Sequence, residues 1–340
     1  MLLMLKRGFF VFPMIRKVYD RLSVAVGLPW FVAFSGGKDS TVVLDLTYRF
    51  SQDKRVEFTV LHNEELLKPP PHFEWVYYVL SEVARRGVRV LVTIPRDDYL
   101  TMIFERRYSP PGPAFMWCTA RFKQRPTAKL AEMLAWRKYA LLTGVRMGES
   151  WHRSVYIRAR CKIGDVCGET YFIQKMTDRS LHLAPIVDWS DYEVIAYLKS
   201  RRQPWNHQDY SHLMERVYCG ETKIRTGCTL CTVVERDAML DMYAKCHGDQ
   251  RYLKVAEIKE ELRAVGFDWD MRLYKSKKLN DDGIKAVREL LIELFDGFPE
   301  LLAGYATFKP EVVEKHLPEV AHHLNRFRLN LPKNIEVIQL

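Results

Sequence analysis

Two short stretches of the chain concentrate residue types that can do chemistry. The first is FSGGKDST, residues 34 to 41. Adjacent glycines let the backbone turn tightly after an apolar run and aim successive N–H groups outward, and a helix start adds its positive dipole end. The guest such a loop fits is a phosphate or pyrophosphate. Ser35 and Ser40 can donate hydroxyl hydrogen bonds, Lys38 is a mobile cation, and Asp39 can cap the helix or hold Mg2+. The spacing is neither that of a Walker A loop nor G-x-G-x-x-G. The second stretch is CGETKIRTGCTLC, Cys219 to Cys231, with the pattern Cys-x8-Cys-x2-Cys. Three soft ligands so spaced can wrap one metal or cluster and leave a fourth ligand to come from elsewhere. Zinc accepts the same thiolates as an iron-sulfur cluster, so ligand type alone does not choose between them. A further pair, Cys161 and Cys167 in ARCKIGDVCGE, reads as a sulfur-relay or redox pair beside basic residues, or as a loop with incidental thiols or a second small metal site.

The elements that must position these residues follow from hydrophobic periodicity. Apolar, β-branched runs recur at 30–34, 56–62, 88–95, 139–145 and 181–187, and between them lie helix-like segments such as TVVLDLTYRF, FEWVYYVLSEVARR and TAKLAEMLAW. Strands alternating with helical periods predict an α/β fold, an open, twisted parallel sheet with helices on both faces. Beyond about residue 210 the period is helical only, apart from a strand-like VIQL at the end. The expected organisation is an N-terminal helical extension over 1–25, a nucleotide-binding domain over 26–210, a cysteine segment over 211–250 and a helical C-terminal region over 251–340. PPP at 69–71 and PPGP at 110–113 mark stiff loops near strand ends, where open α/β sheets place their ligands.

Composition bounds the partners. The 340 residues are 48% hydrophobic and 28% charged, which excludes a disordered chain and gives no sign of a membrane class. The opening MLLMLKRGFFVFPMI is broken by Lys6, Arg7 and Pro13, so neither a signal peptide nor a membrane anchor is expected. A net charge of +10 makes polyanions, nucleotides or nucleic acid, natural partners. Seven cysteines without secretory features point to a reducing cytoplasm and to metal or thiol chemistry.

The string SGGKDS after an apolar strand resembles the pyrophosphate loop of the adenine nucleotide α-hydrolase superfamily, whose members split ATP between the α and β phosphates or bind adenylyl sulfates. That resemblance implies that Ser35, Gly36, Gly37, Lys38, Asp39 and Ser40 grip phosphates. MWCTARFKQRP at 116–126, TGVRMGES at 143–150 and APIVDWSDYEVIAYL at 184–198 look like blocks of the phosphoadenylyl-sulfate reductase family. Within them Lys38, Asp39, Lys123 and Arg146 become the catalytic set, with Arg153 near Arg146. These cations would neutralise a triphosphate and stabilise leaving pyrophosphate. Pro185, Asp188 and Trp189 read as structural: a strand end, a helix cap and an aromatic packing on the next helix.

RTGCTLCTVVERDAML is similar to the cluster-binding segment of DNA-phosphorothioation sulfurtransferases of the DndC type, which carry a 4Fe-4S cluster. By that resemblance Cys118, Cys219, Cys228 and Cys231 are its ligands, with Cys246 as the reserve. Where this branch shows Asn-Asp-Thr and then Glu-x-Pro, the chain has HNEELLKPP at 62–70, placing Asn63 at the nucleotide and changing the residues after it. The resemblance implies an ATP pyrophosphatase-type sulfurtransferase using ATP, Mg2+ and the cluster, with zinc as the alternative metal. Its partners would be a nucleic acid acceptor and a sulfur donor such as a cysteine desulfurase. An adenylyl-sulfate or phosphoadenylyl-sulfate reductase is the second reading, weakened because no cysteine follows Cys246. The third is a subunit of a modification complex that binds nucleotide and nucleic acid without turnover.

Overall fold

The computed structural model describes residues 2–134, 138–149, 173–174, 180–235, 237–274 and 276–340. Cys161, Cys167 and Arg153 lie outside them. The apolar runs form strands β1 (Trp30–Ala33), β2 (Phe58–Asn63), β3 (Arg89–Ile94), β4 (Tyr139–Leu142) and β6 (Ser180–Leu183), joined by a two-residue β5 (Ile173–Gln174) and by β7 (Ile335–Gln339). They make one open sheet in the order β5-β6-β4-β1-β2-β3-β7. Every pairing is parallel except that of β5 with β6. All four residues of β4 are buried, as the central strand of a sheet covered on both faces requires.

The amphipathic segments become α1 (Leu2–Ser23), α2 (Lys38–Lys54), α3 (Pro70–Arg85), α4 (Tyr99–Phe104), α5 (Trp117–Thr119), α6 (Arg125–Leu134) and α7 (Asp191–Ser200). A π-helical run, Ala120–Gln124, joins α5 to α6. The expected cap at Asp188 is instead Ser190, whose side chain accepts from the Glu193 N–H while Glu193 reaches back, a complete capping box. Asp188 takes another role. Arg21 of α1 grips both its carboxylate oxygens at 2.6 and 2.8 Å and donates to the Pro185 carbonyl at 2.6 Å. Trp189 packs on Tyr197 of α7 with ring centroids 5.6 Å apart.

The C-terminal region is helical, through α8 (Ala238–His247), α9 (Arg251–Phe267) and α10 (Asp281–Gly297), but it does not stand apart. Its last strand, β7, extends the sheet beside β3. Buried Lys309 pairs with buried Asp98, the N-cap of α4, which also accepts from the Tyr305 hydroxyl at 3.0 Å. Gly304 approaches Leu66 so closely that a Cβ there would lie 2.5 Å from the Leu66 carbonyl oxygen. Among the described residues, no helix is long and apolar enough to cross a membrane.

Candidate functional site

The chain reverses its direction of sheet growth between β1 and β4, and the loops leaving the C-terminal ends of these two strands, 34–37 and 143–146, meet there. This is the crevice where open α/β sheets hold ligands. Gly37 is the N-cap residue of α2, with no side chain capping the helix. Ser40 Oγ donates to the Gly37 carbonyl at 2.9 Å and accepts from the Ser35 N–H at 3.2 Å. The two serine hydroxyls are 3.1 Å apart. The loop is therefore pre-shaped before any anion arrives.

Its glycines are required by close approach. Gly36 has φ of +81°, and a Cβ there would overlap Val76 and the His72 ring. A Cβ on Gly144 would sit 2.8 Å from the Asp39 carbonyl carbon and the Ser40 nitrogen, so only glycine lets the β4 loop lie against the helix start. From behind, His72 Nε2 bonds the Ser35 carbonyl at 3.1 Å and His62 Nδ1 bonds the Phe34 carbonyl at 2.7 Å. Burial, and then the Lys68 ammonium, push His72 down to about 4, so the ring is neutral near neutral pH.

The cations expected around the loop are placed differently from a bare phosphate clamp. Arg146 is 1% exposed, and its guanidinium is filled by the Asp39 carboxylate at 2.7 Å, Asp191 at 2.6 Å and the Trp189 carbonyl at 2.9 Å. It orients Asp39. Buried Lys38 lies 3.6 Å from Asp39 and 3.4 Å from Asp191, with the Tyr218 ring beneath it. Asn63 is tied into the fold, donating to the Lys123 carbonyl at 3.0 Å and Thr127 Oγ1 at 2.8 Å and accepting from Thr93 at 2.7 Å. Lys123 is exposed, and its charge reaches Glu65 and Cys118, on the cysteine side of the site.

Cys118, Cys228 and Cys231 are free thiols gathered around the buried Tyr99, close enough that each contributes to raising the Tyr99 pKa after burial itself. Burial, and then Cys231, push the thiols of Cys118 and Cys228 up. Two buried hydroxyls here, Tyr99 Oη and Thr229 Oγ1, have no hydrogen-bond partner among the described residues. Orphaned donors beside sulfur ligands suit a group carrying acceptor sulfurs. A tetrahedral ion bound at about 2.3 Å would draw its thiolates to within about 3.8 Å of one another. The three sulfurs do not all lie within 4.8 Å of each other, the wider spacing that a cluster takes because its ligands sit on separate irons. Cys219, expected as the fourth ligand, is not grouped with them: it is bonded to Cys246, because a left-handed turn at Cys219 (φ 51°) and Gly220 (φ 76°) carries its side chain to the end of α8.

The altered segment at 62–70 joins the two halves of the site. Glu64 is fully buried and accepts from Lys68 at 2.7 Å, the Leu66 N–H at 2.7 Å and the Tyr77 hydroxyl at 2.6 Å. Burial raises its pKa, but the Lys68 ammonium and His62 outweigh that and hold it well below the carboxylate range. Lys68 also reaches Glu65 at 3.1 Å. Glu65 in turn faces Cys228, and the Thr229 N–H donates to the Leu67 carbonyl at 2.8 Å. A continuous chain of contacts thus runs from the phosphate loop through His62, Glu64, Lys68 and Glu65 to the cysteines. A second runs through Tyr218, whose hydroxyl accepts from the Lys38 N–H at 3.0 Å and lies 3.4 Å from Thr226 Oγ1, two residues before Cys228.

Sequence reasoning missed Tyr218, Tyr99, His72 and the role of Gly144. Only Gly144 carried a local signal, a glycine directly after a strand; the others become neighbours of the site through tertiary contacts.

Comparison with known proteins agrees with this geometry. Residues 29–234 match the model of the phosphoadenosine phosphosulfate reductase domain, and the chain belongs to that family. An uncharacterized protein of Methanocaldococcus jannaschii is 27% identical over 228 residues, 66% of this chain and 40% of that protein. The chain thus spans about two fifths of the length of that relative. The solved structure of the U34-tRNA thiolase NcsA from Methanococcus maripaludis with its [4Fe-4S] cluster is similar at a TM-score of 0.40 and 14% identity. That alignment covers 81% of this chain and 86% of the thiolase.

Proposed function

We propose that the protein is an ATP pyrophosphatase-type sulfurtransferase that activates an acceptor, in our reading a nucleic acid, by adenylation. The observation that carries this reading is the joining of a shaped anion loop to a three-cysteine group through one contiguous buried network. An acceptor oxygen attacks the α-phosphorus of ATP, the bond from that phosphorus to the bridging oxygen breaks, and pyrophosphate leaves. The N–H groups and hydroxyls of Ser35 to Ser40 bind the departing phosphates at the positive end of α2. Asp39, held in place by Arg146, would carry Mg2+, which supplies charge neutralisation on the phosphates. A sulfur nucleophile, delivered by a sulfur donor such as a cysteine desulfurase, then displaces AMP from the adenylated acceptor.

Cys118, Cys228 and Cys231 would hold a 4Fe-4S cluster, whose chemistry when bound is to carry sulfur on an iron that no cysteine occupies. Lys123 and Glu65 border that side and would position the acceptor. The reading is tested by pyrophosphate release from ATP. Asp39→Ala or Ser40→Ala abolishes it while the circular dichroism of the fold is retained. Unchanged turnover in both variants contradicts the assignment, and binding of ATP without turnover in the wild type, nucleic acid present, identifies a non-catalytic nucleotide-binding subunit.

A further inference from the structure

Cys219, Cys246 and His247 form a second cluster of ligand atoms, all within 4.8 Å of one another. We propose that, with its two sulfurs reduced, this cluster is a separate site for one thiophilic divalent ion of the zinc type, outside the three-cysteine group.

Four features converge on it. The imidazole Nε2 of His247 lies 3.9 Å from Cys219 Sγ, close to the separation of two donors on one tetrahedral ion. The ring is packed against Tyr243 and Tyr252, with centroids 5.5 and 6.2 Å away, which fixes the direction in which Nε2 points. Backbone oxygens also face the group: the Arg216 carbonyl is 3.0 Å from His247 Nε2 and the Glu215 carbonyl 3.6 Å from Cys246 Sγ. Finally, Cys246 and His247 end α8, and those carbonyls belong to the end of the π-helical run His212–Val217, so two helix C-termini aim their negative ends at one point. A disulfide staple needs the two cysteines alone. The oriented imidazole and the paired helix ends are what a cation needs.

In this structure the sulfurs are bonded to each other. A dithiol reductant supplies two electrons and two protons to give two thiols, itself becoming a disulfide. Binding of the divalent ion then releases the two thiol protons and leaves a dithiolate, with His247 as the nitrogen ligand and a backbone carbonyl or water completing the shell. The site is one residue from Tyr218, whose hydroxyl stands at the Lys38 N–H of the phosphate loop. A bound ion would therefore fix the segment that presents Tyr218 to the loop.

The test uses the full chain, cluster-free and reduced with a phosphine under argon, titrated with Co2+ and then Zn2+. The site gives thiolate-to-cobalt absorption that one equivalent of Zn2+ bleaches. Cys246→Ser and His247→Ala each weaken it by more than about 100-fold, beyond the loss typical of an outer-shell change, whereas Cys231→Ser leaves it in place. Absorption unaffected by Cys246→Ser and His247→Ala, or removed only by Cys231→Ser, overturns the proposal. So does an anaerobically purified Cys219→Ser variant that loses iron while Cys246→Ser keeps it, because Cys219 then belongs to the cluster. None of these readouts depends on ATP turnover, so the proposed activity can fail while this site stands.

Discussion

The phosphate loop and the cysteine shelf lie at the two ends of one buried network, yet they are built on opposite principles. The loop is held by neutral, local hydrogen bonds: Ser35, Gly37 and Ser40 satisfy one another within six residues, and glycine is fixed by backbone contact at Gly36 and Gly144. The shelf is held by charge taken out of water. Glu64, Lys68 and Glu65 pair in the interior, and the cysteine loop hangs on them through Thr229 and Leu67. Neutral contacts tolerate loss of a partner better than a buried charge does, because an unpaired ion keeps its full desolvation cost. The two ends of the site should therefore break differently.

The largest effect is expected at the shelf. Lys68→Met leaves Glu64 buried without its cation and should cost about 3–5 kcal/mol of unfolding free energy, read by urea denaturation. Adding Glu64→Gln should return part of that loss, a coupling that a double-mutant cycle measures directly. At the loop the expected loss is smaller and local. Gly144→Ala forces the β4 loop away from the Asp39–Ser40 backbone, at about 1–3 kcal/mol. ATP affinity, measured by calorimetry, should fall while the cysteine group is untouched. Equal damage to both ends from this variant would erase the distinction.

The smallest effect concerns pH. His72 is held neutral in the fold at about 4, against an ordinary 6.5. Between those values the unfolded chain binds a proton that the native state refuses, so stability falls as pH drops from about 6.5 towards 4, by up to about 3 kcal/mol. Above 6.5 this contribution is complete. His72→Gln, which keeps a donor for the Ser35 carbonyl, should flatten that part of the stability-pH curve. An unchanged slope would mean that His72 is protonated in the native state.

How much of this was legible in the sequence follows the same division. The loop was readable because its chemistry is local: glycines, hydroxyls and an aspartate must sit in one order after a strand. The central strands were readable for the same reason, and β4, β1 and β2 lie where their apolar runs stand. What could not be read depends on partners far along the chain. Arg146 looked like a phosphate clamp, but its guanidinium is filled by Asp39 and by Asp191, 45 residues away. Lys68 stood where the related branch has a glutamate, and only burial shows that it neutralises Glu64 and Glu65. Cys219 followed the spacing of Cys228 and Cys231, yet a left-handed turn sends it to Cys246. The C-terminal VIQL was recognisable as a strand, but not its place beside β3.

The central claim, that the three thiols hold a cluster within reach of an ATP-splitting loop, is tested most directly by counting iron and acid-labile sulfide in protein purified without oxygen. The account predicts about four irons with matching sulfide per chain, lost on Cys228→Ser. Purified wild type with no iron, holding a single zinc that Cys228→Ser removes, would contradict it and make the three cysteines a structural clamp.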